Sequence, residues 1–255
     1  MGQGLENVRK IYLEGIASGN AREAVQKYTG HRYTQHSTGV GDGAEGFLAF
    51  FEPFVERNPE REIEIIRILE DGPWVFCNAY QSLNGGTAQW VTMDMFYTDA
   101  NGLILEHWDT IAPYSQETKS GFDMVRGATE IDQKADTETN KALVLEFTKQ
   151  ILQERNYDKI SQFVAHDVIQ HASTIGAGSD GLAEWLASSE AGQYELLFKL
   201  IGQGDFVVTY GKRHALGKDI AVFNVYRIAG DKIAESWMNE EQISPREEWG
   251  NSGKF

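Results

Sequence analysis

In this chain of 255 residues, the side chains best suited to moving a proton fall in two short apolar segments. One is TMDMF (92–96), which carries Asp94; the other is LEHWDTI (105–111), which carries His107 and Asp109. Strand alternation puts Trp90, Thr92, Asp94 and Phe96 on one face, and Leu105, His107, Asp109 and Ile111 on one face of the strand that follows. A turn at Asn101-Gly102 would pair the two strands and bring Asp94 close to His107. His36, in a loop after the opening helices, could approach the same mouth. A carboxylate held among Trp90, Trp108 and Phe96 is poorly hydrated, which tunes it for general-base work. A neighbouring histidine can donate a hydrogen bond to an oxygen as charge develops there. Such a group suits removal of a proton beside a carbonyl, and hence isomerisation or an intramolecular aldol closure. Each residue also has a structural alternative: His36 as a loop brace, His107 with Asp109 as a rim salt bridge, Asp94 as a helix cap, Trp90 and Trp108 as core.

Other chemistries find little support. His36, His107 and Asp109 would make a two-histidine, one-carboxylate set, but no local ligand motif accompanies them, so neither a metal nor a cofactor is expected. Gly41, Gly43 and Gly46 lack the lysine and the strand–helix context of a phosphate loop and read as turn residues. No nucleophile elbow is present. Cys77, the one cysteine, lies in an apolar run and reads as a buried, inert thiol.

The candidates need a scaffold, and the chain writes one twice. HRYTQHSTGVGDGAEG (31–46) and HDVIQHASTIGAGSDG (166–181) both fit H-x3-Q-H-x4-G-x-G-x-[ED]-G without a gap. Upstream, Val8, Tyr12, Ile16, Val25 and Tyr28 face Leu143, Phe147, Ile151, Ile160 and Phe163 at the same offset. Downstream, ANGLILEHWD (100–109) aligns with AGDKIAESWM (229–238), pairing Glu106 with Glu235 and Trp108 with Trp237. A duplicated domain follows, with 1–128 as the first copy, 129–139 as linker and 140–255 as the second. Asp136 or Thr137 is placed to cap the first helix of the second copy.

Within one copy, Val8, Ile11, Tyr12, Gly15 and Ile16 keep helical spacing. A second short helix covers about 21–29. Phe47 to Val55 gives a third, which Pro53 is expected to interrupt or shorten. From Ile63 the pattern changes to alternation, with turns at Asp71-Gly72, Asn84-Gly85-Gly86 and Asn101-Gly102. Three helices followed by about four meandering strands indicate an α+β fold.

These segments resemble the SnoaL-like polyketide cyclase family of the nuclear-transport-factor-2-like (NTF2-like) superfamily. The resemblance is carried by YTQHSTGVGDGAEGFLAFF (33–51), TMDMF (92–96) and NGLILEHWDTIAP (101–113). In the second copy it is carried by ALVLEF (142–147), VIQHASTIGAGSDG (168–181) and VFNVYRIAGDKIAESW (222–237). It implies two tandem cones, each with helices packed on a curved, largely antiparallel sheet. It also implies an aspartate, Asp94 or Asp109, as acid/base without a cofactor, and a small apolar or carbonyl-bearing ligand. Tyr33, Phe51, Trp90 and Trp108 would then contact the substrate. Because members of the superfamily pair sheet to sheet, the resemblance further implies an intrachain pseudo-dimer and allows a homo-oligomer.

The copies differ where it matters. Ser236 stands opposite His107, Met238 opposite Asp109, and Asn224 opposite Asp94. The first copy is therefore expected to carry any activity and the second to be degenerate. Two other readings stay open: a non-catalytic binder of apolar ligands, and a scaffold that uses its sheet as an interface. Lys and Arg total 23 against 38 Asp and Glu, a net charge of −15 with no basic cluster, which disfavours nucleic acid and anionic membranes as partners. No run of about 18 apolar residues occurs, and MGQGLENVRK has no apolar signal core, so a cytoplasmic protein is expected.

Overall fold

Helical spacing, then alternation, is folded twice over in the computed structural model, which describes residues 2–255. The chain forms two units. One is the chain up to Pro113 together with Ile243–Phe255; the other is Tyr114–Gln242.

In the first unit, α1 (Gln3–Lys10) runs on as wide π-helical turns over Ile11–Ala17, and α2 (Ala21–Tyr28) follows. A strand β1 (Thr29–Gln35) precedes α3 (Gly43–Arg57). Four longer strands complete the unit: β2 (Arg61–Asp71), β3 (Trp74–Leu83), β4 (Ala88–Thr98) and β5 (Ile104–Pro113). Their order in the sheet is β1-β5-β4-β3-β2, with β1 parallel to β5 and every other pair antiparallel. The helices bury Val8, Tyr12, Val25 and Phe47 against Val75, Cys77, Ala79 and Phe96 of the sheet.

Two local expectations are corrected. The sheet has a fifth strand, β1, where a loop was expected. Only Tyr33 and Gln35 of that strand are buried, so it shows no apolar alternation. Nor does Pro53 break α3. It forfeits one hydrogen bond to the carbonyl of Ala49, but Ala49 is exposed and water can take the bond instead.

The second unit repeats the plan. Asp136 caps α4 (Thr137–Phe147) by accepting from the Thr139 backbone N–H at 3.1 Å, and the helix again passes into π turns, Thr148–Gln153. A 3-10 turn Tyr157–Lys159 leads into α5 (Ile160–Phe163), β6 (Val164–Gln170) and α6 (Gly178–Ala187). The strands β7 (Gln193–Gln203), β8 (Phe206–Ala215), β9 (Lys218–Ala229) and β10 (Lys232–Gln242) then complete a sheet ordered β6-β10-β9-β8-β7.

The repeated glycines have a packing cause. A Cβ on Gly46 would lie 2.0 Å from the carbonyl oxygen of Gly41, and one on Gly181 would lie 2.2 Å from the carbonyl carbon of Gly176. The loop therefore crosses the start of the third helix backbone to backbone, which only glycine permits. Among the described residues no helix is long and apolar enough to cross a membrane.

Candidate active site

On β4 and β5, Asp94 pairs directly with Asp109 and Phe96 with His107. Residues directly opposite in an antiparallel pair share a face, so these four side chains converge. A bulge makes this possible. Tyr97 pairs with Glu106 but Thr98 pairs with Ile104, so Leu105 is the extra residue that resets the alternation. Trp108 consequently points to the other face. The second sheet carries the same bulge at Ala234 and pairs Asn224 with Met238.

His107 is fixed at both nitrogens. Nδ1 donates to Gln35 Oε1 at 2.8 Å, and Nε2 lies 2.8 Å from Asp94 Oδ1. Gln35 reaches it because β1 runs parallel to β5 with Gln35 in register with His107. An amide oxygen only accepts, so Nδ1 keeps its hydrogen and one proton is shared between Nε2 and Oδ1. Asp94 Oδ2 is buried and has no hydrogen-bond partner among the described residues. Buried polar atoms are nearly always paired, so this oxygen calls for a ligand.

Asp109 is held differently. Lys254 donates from Nζ to Asp109 Oδ1 at 2.7 Å and to the Asp109 carbonyl at 2.9 Å. Burial pushes the Asp109 carboxyl upward, but the charges of Lys254 and His107, with hydrogen bonds from Lys254 and Ser37, outweigh it and hold the group below the ordinary carboxylate range. Between that depressed value and the ordinary one, the unfolded chain binds the proton and the folded chain does not. Asp109 thus contributes stability that is complete above about pH 4 and is lost as pH falls through its depressed value. The acid limb of the first unit's stability, followed by hydrogen exchange of first-unit peptides between pH 2 and 6, is expected to flatten in Asp109→Asn.

Asp94, His107 and Asp109 line a cavity of about 360 Å³ in the first unit. Tyr12, Tyr33, Gln35 and Thr92 share its polar wall, and Phe47, Phe50, Phe51, Phe54 and Trp90 its apolar one. The two phenols are buried; burial first, and then the negative charge of Asp94, pushes both well above the ordinary tyrosine value, so they stay protonated donors. Tyr12 also shares a hydrogen bond with Thr92 Oγ1 at 3.1 Å. Burial, then Asp94, likewise raises Cys77, which is fully buried. The second unit's corresponding cavity is about 20 Å³, room for roughly one water. Trp185, Tyr226 and Met238 line it, where the first unit has Phe50, Phe96 and Asp109.

Of the eight site residues expected from sequence, six meet at this cavity: Asp94, His107, Asp109, Trp90, Tyr33 and Phe51. His36 and Trp108 do not line it. They stack on each other, with ring centroids 4.4 Å apart and planes 1° from parallel. His36 donates from Nδ1 to the Gly253 carbonyl at 2.7 Å, and its Nε2 lies 3.4 Å from Glu106. The second copy repeats the arrangement, with His171 stacked on Trp237, bonded to Glu235 and donating to the Asp123 carbonyl. The Gln-His repeat thus has two uses. The histidine clamps a returning segment, and the glutamine braces the residue at position 107, or Ser236 in the second copy. Gln35, Tyr12 and Lys254 are the cluster's unforeseen members. Gln35 stood in a repeated motif and Tyr12 on a core stripe, but nothing in the local pattern marks Lys254.

The cluster also bears on metal binding. One ligand atom from each of Asp94, His107 and Asp109 falls within 4.8 Å of the others. The Lys254 ammonium already supplies a cation to Asp109, and His107 spends both nitrogens on Gln35 and Asp94.

A five-stranded mixed sheet packed with helices is the arrangement expected of an NTF2-like α+β cone, and the chain contains two such units in tandem. Residues 8–107 match the family model of the SnoaL-like domain. No curated protein sequence matches the chain. Among solved structures, the chain is similar to a candidate ketosteroid isomerase from Kribbella flavida at 13% identity, covering 44% of this chain and 84% of that one, with a TM-score of 0.39. It is similar to a candidate SnoaL-like polyketide cyclase from Jannaschia at 20% identity, covering 43% and 85%, TM-score 0.37. A third is an NTF2-like protein of unknown function from Cytophaga hutchinsonii, 18% identical over 45% and 95%, TM-score 0.36.

Proposed function

We propose that the first unit is a cofactor-independent acid–base enzyme that moves a proton beside the carbonyl of a small, mostly apolar compound, as an isomerase, cyclase or aldol-type catalyst. The observation that carries this reading is the Asp94 carboxylate: one oxygen is bonded to His107 and the other is buried and unpartnered, beside a cavity of about 360 Å³. That volume is at the small end of drug-sized pockets. Asp94 accepts the substrate's carbon-bound proton on Oδ2 and later returns it, while His107 stays hydrogen-bonded to Oδ1 and balances the change in charge. The phenols of Tyr12 and Tyr33 face the same space and donate to the enolate oxygen as it forms. Asp109 is the weaker candidate for the acid/base, since its ion pair with Lys254 opposes protonation.

The aromatic wall would equally suit a binder, and one assay separates the two. Cyclic ketones and 1,3-dicarbonyl compounds are incubated with the protein in D2O and followed by NMR. Catalysed exchange of protons beside the carbonyl is the expected result. Thermal stabilisation by those compounds without any exchange would establish the binder and remove the enzyme.

A further inference from the structure

We propose that Lys254 is a positioning residue of the first cone: carried in by the segment Ile243–Phe255, its ammonium keeps Asp109 a standing anion and so leaves the cluster's one exchangeable proton to Asp94 and His107. The inference rests on the acid–base reading above.

The segment is fixed where its lysine must enter. Gly250 N–H donates to the Thr38 carbonyl at 2.9 Å, Asn251 Nδ2 donates to the carbonyls of Ser37 and Val40, and His36 holds the Gly253 carbonyl. All four anchors lie in the loop that begins just after Gln35, the residue bracing His107. The Lys254 side chain is fully buried and ends on Asp109. The charged and titratable groups facing Asp109 are Asp94 on β4, His107 on β5, Tyr33 on β1 and Lys254. Without the ammonium, two carboxylates would share one histidine. Like charges this close do not both ionise, so Asp109 would compete for the proton that His107 shares with Asp94 and that balances the charge as Asp94 works.

The second copy removes both partners together. Met238 stands in place of Asp109. The clamped carbonyl there is that of Asp123, and the residue after it is buried Met124, where the first cone has Lys254 after Gly253. Lysine and aspartate are thus present in one cone and both absent from the other.

The test is a Lys254→Met protein with its carboxyl groups labelled with carbon-13 and no substrate present. The Asp109 titration is expected to rise by about one to three pH units. Exchange of carbonyl compounds at pH 7 is expected to fall about tenfold, with KM unchanged. Asp109→Asn/Lys254→Met, which has no second carboxylate to compete, is expected to return exchange to within about threefold of the unaltered protein. An Asp109 that titrates as before, or a double variant as impaired as the single, overturns the proposal. Lys254→Gln, which keeps a donor without the charge, gives the same reading if the methionine protein does not fold. Because the titration is read without substrate, it decides the role of Lys254 even where no carbonyl compound turns out to exchange.

Discussion

Asp94→Asn is expected to leave the first cone folded, its cavity open, and its proton transfer reduced by about a thousandfold, within the range that a positioned acid–base group contributes. The substitution preserves shape. The asparagine amide can donate from Nδ2 to the bare His107 Nε2, so the imidazole stays bridged between Gln35 and position 94. What is lost is a group able to take a proton. Ligand affinity, read by thermal shift, should therefore change little while exchange disappears. The second cone supplies a control: Asn224 lies beside a space of about 20 Å³, and Asn224→Ala should leave exchange untouched. An Asp94→Asn protein that exchanges within tenfold of the original would mean that Asp94 is a structural brace and that the chemistry, if any, lies elsewhere.

The second large effect concerns stability. Asp109 and Lys254 form an ion pair with side chains 6% and 0% exposed. Removing one member leaves a buried charge with no compensation, at a cost of about 3–5 kcal/mol, whereas replacing both by apolar residues is often neutral or better. Asp109→Met alone should destabilise the first unit by that amount. Asp109→Met/Lys254→Met, which gives position 109 the residue that the second copy carries at Met238, should recover most of it. Hydrogen exchange of first-unit peptides in rising denaturant reads this without interference from the second unit. Equal losses in the single and double variants would show that Lys254 contributes packing rather than charge.

Much of this was legible before any coordinates, and the reason is local. Asp94, His107 and Asp109 lie on two strands joined by the five residues 99–103, so alternation and one hairpin suffice to bring them together. The duplication was legible because glycine–glycine contact and the Gln-His brace both demand particular residues at fixed spacing. β1 was not, because with only Tyr33 and Gln35 buried it shows no apolar alternation, and it pairs in parallel with a strand far along the chain. His36 was expected to approach the cluster from its loop and does not line the cavity. Its ring instead turns to Trp108, on the face the bulge at Leu105 directs away from the cavity. Lys254 was out of reach of any local rule, since it meets Asp109 across 145 residues.

That separation has a consequence for how the polypeptide is made. Ribosomes add about 5–20 residues per second, so Lys254 is polymerised about 7 to 30 s after Asp109. Throughout that interval the nascent first cup holds an acidic residue without its counter-ion, and its final electrostatic balance is reached only after the whole of the other cup has been translated. Maturation of the N-terminal half is thereby tied to completion of the C-terminal half, the reverse of the usual vectorial order.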